Sequence, residues 1–124
     1  MNDNKEYVSR SDELGNIHIS EEVLAAISAA AALEVEGVSS LAGNLGSDIA
    51  QLLGKKNLAK GVHIKVEDEK VEIGISVLMA YGHTIPEVGE AIQNAVKQAV
   101  ESMTGLDVAA VDVNVCGVSF PAKA

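Results

Sequence analysis

The segment from Val62 to Tyr81 constrains the fold most, because its side chains alternate between apolar and polar over nearly its whole length. Such a period of two is typical of a strand with one buried face. Four consecutive charged residues, at 67–70, interrupt the alternation and predict a turn, so the segment is predicted to form a β-hairpin. The face predicted to be buried carries Val62, Ile64, Val66, Val71, Ile73, Ile75, Val77 and Met79, and the other face carries His63, Lys65, Glu72, Gly74 and Ser76.

A first helix is predicted to begin after Ser20, whose hydroxyl suits an N-cap, and to run to about Glu34 or Val35. Acidic residues at Glu21 and Glu22 favour the helix start electrostatically, and Gly37 is a natural stop.

A second helix is predicted to follow the hairpin, with Thr84 and Glu87 forming a capping box and Pro86 in the first turn. Gly105 ends it. Its predicted apolar stripe consists of Val88, Ala91, Ile92, Ala95, Val96, Ala99, Val100 and Met103. Helical Gly89 is interpreted as permitting close internal packing.

Three further strands are predicted, at Ile17–Ile19, Val38–Leu41 and Val108–Val118. The element order is β-α-β, an insertion, then β-β-α-β. This order predicts an α+β fold in which two main helices pack on one face of a small mixed β-sheet.

The domain boundaries follow from composition. Residues 1–14 are polar and are predicted to be a flexible N-terminal tail, with Tyr7 and Val8 as residues through which it can still dock. A single α+β domain is predicted over 15–120. Within the domain, 42–61 is rich in glycine and lysine and is predicted to be a mobile insertion. Residues 121–124 are predicted to be a C-terminal tail.

The charge balance argues against several classes of partner. The chain has 18 acidic and 9 basic residues, a net charge of -9, and only 2% aromatic residues. Nucleic-acid binding depends on cations that neutralise phosphates and on aromatic rings that stack on bases, so we expect no nucleic-acid partner. With one cysteine and no apolar run long enough to span a bilayer, a cytoplasmic protein without direct membrane insertion is expected.

No residue pattern predicts catalysis or a cofactor. His18, His63, His83 and Cys116 lack the short spacing of a zinc site. Acidic residues 67–69 are explained by a charged turn, and no serine lies in a nucleophile elbow. We therefore expect neither a metal or other cofactor nor an enzymatic activity.

Two features of the insertion at 42–61 suggest other binding partners, RNA and anionic lipid. The tetrapeptide Gly43–Gly46 matches the G-x-x-G loop of KH-type RNA-binding domains, but its central residues are not basic, so an RNA-binding module is the less favoured interpretation. Lys55, Lys56 and Lys60 form a basic spot that is a candidate loop contact, although three lysines on an acidic chain attach only weakly to anionic lipid.

The most interesting candidate surface is an apolar corner formed by Tyr81, Gly82, Ile85 and Pro86, where a strand passes into a helix. It is interpreted either as a packed junction or as a site where a partner protein docks. The edges of the small sheet are a second candidate, since an unpaired strand can accept a strand from another copy of the chain.

Several short motifs in order carry a family resemblance. They are Gly15-Asn16-Ile17-His18-Ile19, Glu34-Val35-Glu36-Gly37-Val38, Tyr81-Gly82 with Ile85-Pro86-Glu87-Val88, Met103-Thr104-Gly105-Leu106, Val111-Asp112-Val113-Asn114-Val115 and Gly117-Val118 with Phe120. Together they resemble the alkaline shock protein family of Gram-positive bacteria, also called the general stress protein Gls family, over about residues 15–120.

The resemblance implies a non-enzymatic protein of envelope stress response and cell-envelope homeostasis. It also implies self-association, to a homo-oligomer, and attachment to the membrane through a small integral-membrane anchor protein. The alternative is a regulatory protein that binds a soluble enzyme of envelope-lipid or cell-wall biosynthesis. The family has no catalytic residues to carry over to this chain.

Overall fold

The computed structural model of the chain describes residues 7–42 and 61–120. The predicted insertion lies largely outside the described residues, and so do the C-terminal tail at 121–124 and Lys55, Lys56 and Lys60. The elements are β1 (Tyr7–Asp12), β2 (Gly15–Ser20), α1 (Glu21–Leu33), β3 (Val38–Leu41), β4 (Val62–Glu67), β5 (Lys70–Ala80), α2 (Ile85–Thr104) and β6 (Asp107–Ser119).

The N-terminal region differs from the prediction of a flexible tail over residues 1–14. Strand β1 pairs antiparallel with β2 along its whole length, from Tyr7 opposite Ser20 to Asp12 opposite Gly15. Backbone pairing across a two-residue turn therefore orders a polar segment whose composition alone indicates a tail.

Strand β5 is the centre of the main sheet. Strand β6 runs parallel to it along one side, from Lys70 opposite Asp107 to Ala80 opposite Ser119. On the other side, β4 and then β3 pair antiparallel with successive parts of β5. The predicted α+β fold with a mixed sheet and two helices is confirmed, with β1 as an added strand.

The core lies between the two helices and one face of this sheet. The β5 side chains at Val71, Ile73, Ile75, Val77 and Met79 are all buried, as the alternation predicts. From α1, Leu24 and small alanines pack against them. Complete burial of each large apolar side chain contributes roughly 1.5–3 kcal/mol, so this layer supplies much of the stability.

Helix α2 buries a narrower stripe than the sequence predicts. The buried positions recur at every fourth residue: Val88, Ile92, Val96, Val100 and Thr104. The prediction of burial for Met103 is wrong, since it is 69% exposed, and Ala91 is also exposed. A single row of i, i+4 positions meets the sheet, and Thr104 completes that row because its hydroxyl donates to the Val100 carbonyl oxygen at 2.6 Å.

Both helices begin and end close to the predicted residues, but one of the predicted caps is absent. The Ser20 hydroxyl accepts a hydrogen bond from the Val23 amide at 3.2 Å. Gly37 follows α1 with a positive φ of 103°, and Gly105 ends α2 in the left-handed conformation. The predicted capping box at Thr84 is wrong, because its side chain makes no capping hydrogen bond.

Candidate protein-interaction surface

Three polar side chains of α2 reach the outer edge of β6, the side that faces away from β5. The Gln93 side-chain amide donates to the Val111 carbonyl oxygen at 3.0 Å. The Lys97 ammonium donates to the Val108 carbonyl oxygen at 3.3 Å, and the Glu101 carboxylate accepts the Val108 N–H at 2.9 Å. These side chains are four residues apart on one helix face, so they form a row that occupies the first part of the edge.

The last residue of this row, Glu101, is held in its charged form by its hydrogen-bond partners. The Val108 N–H is the main cause that lowers the pKa of Glu101 below its ordinary value of 4.5. The hydrogen bond from Lys97, at 3.1 Å, lowers the pKa further, and partial loss of water opposes both. Glu101 is therefore held in its charged form, in which it accepts the strand amide.

The row stops at Gly89, four residues before Gln93, and a groove of about 370 Å³ opens there between α2 and β6. Its apolar walls are Ile85 and Pro86 on the helix and Val113 and Val115 on the strand. A Cβ added at Gly89 would meet no neighbouring atom within 4 Å. The expectation that Gly89 permits close internal packing is therefore wrong, since open space lies where its side chain would be.

The charged residues that line the groove are acidic. Glu87 and Glu90 stand on the helix side and are exposed. Asp112 of β6 is also exposed, but on the opposite face of the sheet. The surroundings of the groove therefore attract cations, in keeping with the net charge of -9.

The predicted apolar corner lies at the end of β5. The Tyr81 ring stacks on Phe120 with 4.9 Å between ring centroids, and both rings remain about two-thirds exposed. The Tyr81 amide donates to the Ser119 carbonyl oxygen at 2.9 Å, which fixes the ring at the end of the β5–β6 pair. Ile85 is 46% exposed and lines the groove, so the groove and the corner share a residue.

The corner is thus a packed junction on one side and an open apolar surface on the other. Gly82 adopts a φ of 103° with open space around it, which turns the chain from β5 towards α2. Phe120 completes the corner across 39 positions of sequence, which is why residue spacing did not identify it. The composition of α2 and β6 also gave no signal that Gly89, Gln93, Val113 and Val115 belong to one surface.

The sheet face opposite the helices is polar. On it, His63 of β4 and Asp112 of β6 flank Gly74 of β5. The Ser119 hydroxyl donates to the Ser39 hydroxyl at 2.9 Å near one end of this face. His18 belongs to the separate two-stranded β1–β2 sheet, so it does not lie on this face with His63.

Residues 7–42 and 61–120 contain neither a metal site nor a membrane-spanning helix. They contain no group of three His, Cys, Asp or Glu side chains that is arranged to hold a metal ion. Among the same residues, neither helix is long and apolar enough to cross a membrane.

Comparison with known proteins gives a consistent result. The model of the alkaline shock protein 23 family, which is described as having a cell envelope-related function, matches residues 9–120. The uncharacterized protein YqhY of Bacillus subtilis (strain 168) is 32% identical over 111 residues, 90% of this chain and 82% of YqhY. The uncharacterized protein YloU of the same strain is 33% identical, covering 84% of this chain and 88% of YloU. The uncharacterized protein Spy1535 of Streptococcus pyogenes serotype M6 is 36% identical, covering 87% and 82%. No solved structure matches this chain.

Proposed function

Because this chain belongs to the alkaline shock protein family, as its motifs indicate, we propose that it serves the cell envelope by binding other proteins. In this proposal the chain is a non-enzymatic protein of envelope stress response and homeostasis. It acts in the cytoplasm, associates with itself, and is attached to the membrane through a small integral-membrane protein.

The observation that carries the proposal is the exposed apolar corner. Tyr81 and Phe120 stack on each other, yet their rings remain largely in solvent, and Ile85 beside the groove is half exposed. Exposed apolar clusters next to a concavity are typical of protein interaction sites. Aromatic residues are also enriched among the residues that dominate binding energy at interfaces.

The charge of the chain supports a protein rather than a lipid as the membrane contact. A net charge of -9 is repelled by anionic lipid, so a membrane-embedded protein is the better route to the envelope. The outer edges of the sheet support self-association, because unpaired strand edges present backbone groups to another chain.

Capture from separated membrane and soluble fractions tests the proposal. The tagged chain should recover an integral-membrane protein, and Phe120→Ser should lose it because half of the aromatic pair is removed. Met103→Ser is the matched control, since Met103 is also 69% exposed but lies on the far end of α2. Equal recovery by all three proteins would refute the corner as the binding site.

The same capture experiment distinguishes a regulatory protein from a membrane-anchored one. Recovery of a soluble enzyme of envelope-lipid or cell-wall biosynthesis, lost with Phe120→Ser, would favour a regulatory protein over an anchored one. Self-association is tested by light scattering over a wide concentration range. A monomer at every concentration would refute that part of the proposal.

A further inference from the structure

Among residues 7–42 and 61–120, no strand pairs with the outer edge of the second half of β6. Consecutive backbone groups of a strand point to opposite sides, and β6 contains two irregularities, near Ala109 and Cys116, that each shift this alternation by one residue. The Val108 and Val111 groups point outward, since α2 side chains bind them. The alternation then places the N–H and C=O groups of Val113, Val115 and Val118 outward as well.

The position of Ser119 supports this assignment. Its carbonyl oxygen accepts from Tyr81 at the end of β5, so it points inward, and its neighbour Val118 must point outward. Within residues 61–120, no hydrogen bond occupies the outer side of Val113, Val115 or Val118. Six backbone groups are therefore presented in a row.

The helix leaves this part of the edge open because of Gly89. Glu101, Lys97 and Gln93 cover the edge from Val108 to Val111, and Gly89 is the next position of the same row. It lines the groove together with Val113 and Val115, but it has no side chain to reach them. Glycine inside a helix costs about 0.5–1 kcal/mol relative to alanine, and no packing contact requires it here.

Charge decides which occupant suits this edge. The groove is lined by Glu87 and Glu90, and Asp112 lies on the opposite face of β6. A second copy of the chain would bring a further net charge of -9 against this acidic surface. A partner segment that carries lysine or arginine is instead attracted by these carboxylates and by the net charge of -9.

We propose that the edge of β6 from Val113 to Val118 accepts an extended segment of a partner protein, in which apolar and basic residues alternate. The backbone of this segment pairs with β6 and extends the sheet by one strand. Its apolar side chains enter the groove against Ile85 and Pro86. Because the side chains of a strand alternate between its two faces, its basic side chains lie on the opposite face, which carries Asp112. The inference rests on the proposed function, since it names the surface and the chemistry of the partner.

A synthetic peptide of alternating lysine and valine, eight residues long with blocked ends, tests the proposal on the full chain. Saturable binding is expected, with amide hydrogen exchange slowed at Val113, Val115 and Val118. The matched control replaces each lysine with glutamate and should bind at least about tenfold more weakly because it is repelled. Equal binding of the two peptides, or no binding of either, would overturn the proposal.

Two peptide variants test backbone pairing. In one, every valine amide is N-methylated, and in the other every lysine amide is. Because alternate amides of a strand face opposite sides, only one set can donate to β6. One variant should therefore lose binding while the other keeps it, and retention by both would overturn strand addition.

Two variants of the chain test the role of Gly89. Gly89→Gln places a side chain that can reach the edge as Gln93 does, so it should weaken peptide binding at least about tenfold, the effect of one lost hydrogen bond. Gly89→Ala is too short to cover the edge and should bind as the wild type does. Both should be more stable than the wild type, so weaker binding does not reflect unfolding. Unchanged binding by Gly89→Gln would overturn the proposal.

The capture experiment separates this inference from the proposed function. If Phe120→Ser loses the membrane protein but Gly89→Gln retains it, the function stands and strand addition at β6 fails. If the wild type forms a dimer that Gly89→Gln abolishes without any peptide, the occupant is a second copy and the proposed basic segment is refuted.

Discussion

Substitution of Gly37 by alanine should destabilise the fold for two separable reasons. Gly37 has a φ of 103°, a conformation that residues with a side chain rarely adopt, and such backbone strain costs about 1–3 kcal/mol. A Cβ at this position would also lie 2.8 Å from Val88 Cγ2 and 3.2 Å from the His83 ring. His83 is exposed and can move, but Val88 is buried at the start of α2.

The energetic cost of the steric clash adds to the cost of the backbone strain. Forcing extra atoms into a packed site costs about 1–3 kcal/mol, so Gly37→Ala should lower the free energy of unfolding by about 2–6 kcal/mol in all. Relief by a backbone shift is restricted, because the Gly37 carbonyl oxygen accepts the Ala80 amide at 2.8 Å and thereby links this turn to β5.

Gly82 provides the matched control. It has the same φ of 103°, but a Cβ added there would meet no atom within 4 Å. Gly82→Ala should therefore show only the backbone cost, about 1–3 kcal/mol. The difference between the two variants isolates the contact with Val88.

Urea denaturation followed by circular dichroism measures both free energies of unfolding. Gly37→Ala should unfold at a lower urea concentration than Gly82→Ala, with an unchanged slope. Equal stability of the two variants would refute the steric argument. Two variants as stable as the wild type would refute the strain argument as well.

Three other predictions concern α2. Val100→Ala should lower the free energy of unfolding by about 2–3 kcal/mol, because Val100 is fully buried. Met103→Ala should change it by less than about 0.5 kcal/mol, because Met103 is exposed. Urea denaturation of the two variants measures the difference. Gly89→Ala should raise the free energy of unfolding by about 0.5–1 kcal/mol, and a loss of stability would show that the helix is packed there. Glu101→Gln should be less stable than the wild type near neutral pH, because the lowered pKa of Glu101 contributes stability that is present above its unfolded pKa. That difference should shrink as the pH falls through the folded pKa, and a gap independent of pH would contradict the electrostatic explanation.

The periodicity of the sequence was sufficient for the strands and the core face of the sheet. Alternation in β4 and β5 identified the buried residues because a strand gives each side chain only two directions. Periodicity was a weaker guide in α2, because the predicted apolar stripe included both Val100 and Met103 although only Val100 is buried. Only packing against α1 and β6 selects the buried row.

The capping box and the tail were predicted less well. Thr84 has the right neighbours for a cap, but its side chain makes no such bond. Residues 7–12 have the composition of a tail, yet they gain backbone pairing with β2. In both cases hydrogen bonds decide the local structure, and composition does not determine them.

The residues of the candidate site were likewise predicted only in part from the sequence. The sequence identified Tyr81, Gly82, Ile85 and Pro86 as a corner, because an aromatic residue and an Ile-Pro pair stand close together along the chain. It did not connect them to Phe120, which stacks on Tyr81. The parallel pairing of β5 and β6, with α2 between them in sequence, is what brings these residues together.

The sequence by itself determined the fold class, the buried face of the sheet and the acidic charge, since these depend on local periodicity and residue counts. Only the tertiary structure decided which backbone groups of β6 stay free. That outcome depends on how far the side chains of α2 reach across to the strand, and at Gly89 there is none to reach. Whether a glycine leaves a gap or fills a tight contact is a property of its surroundings in space.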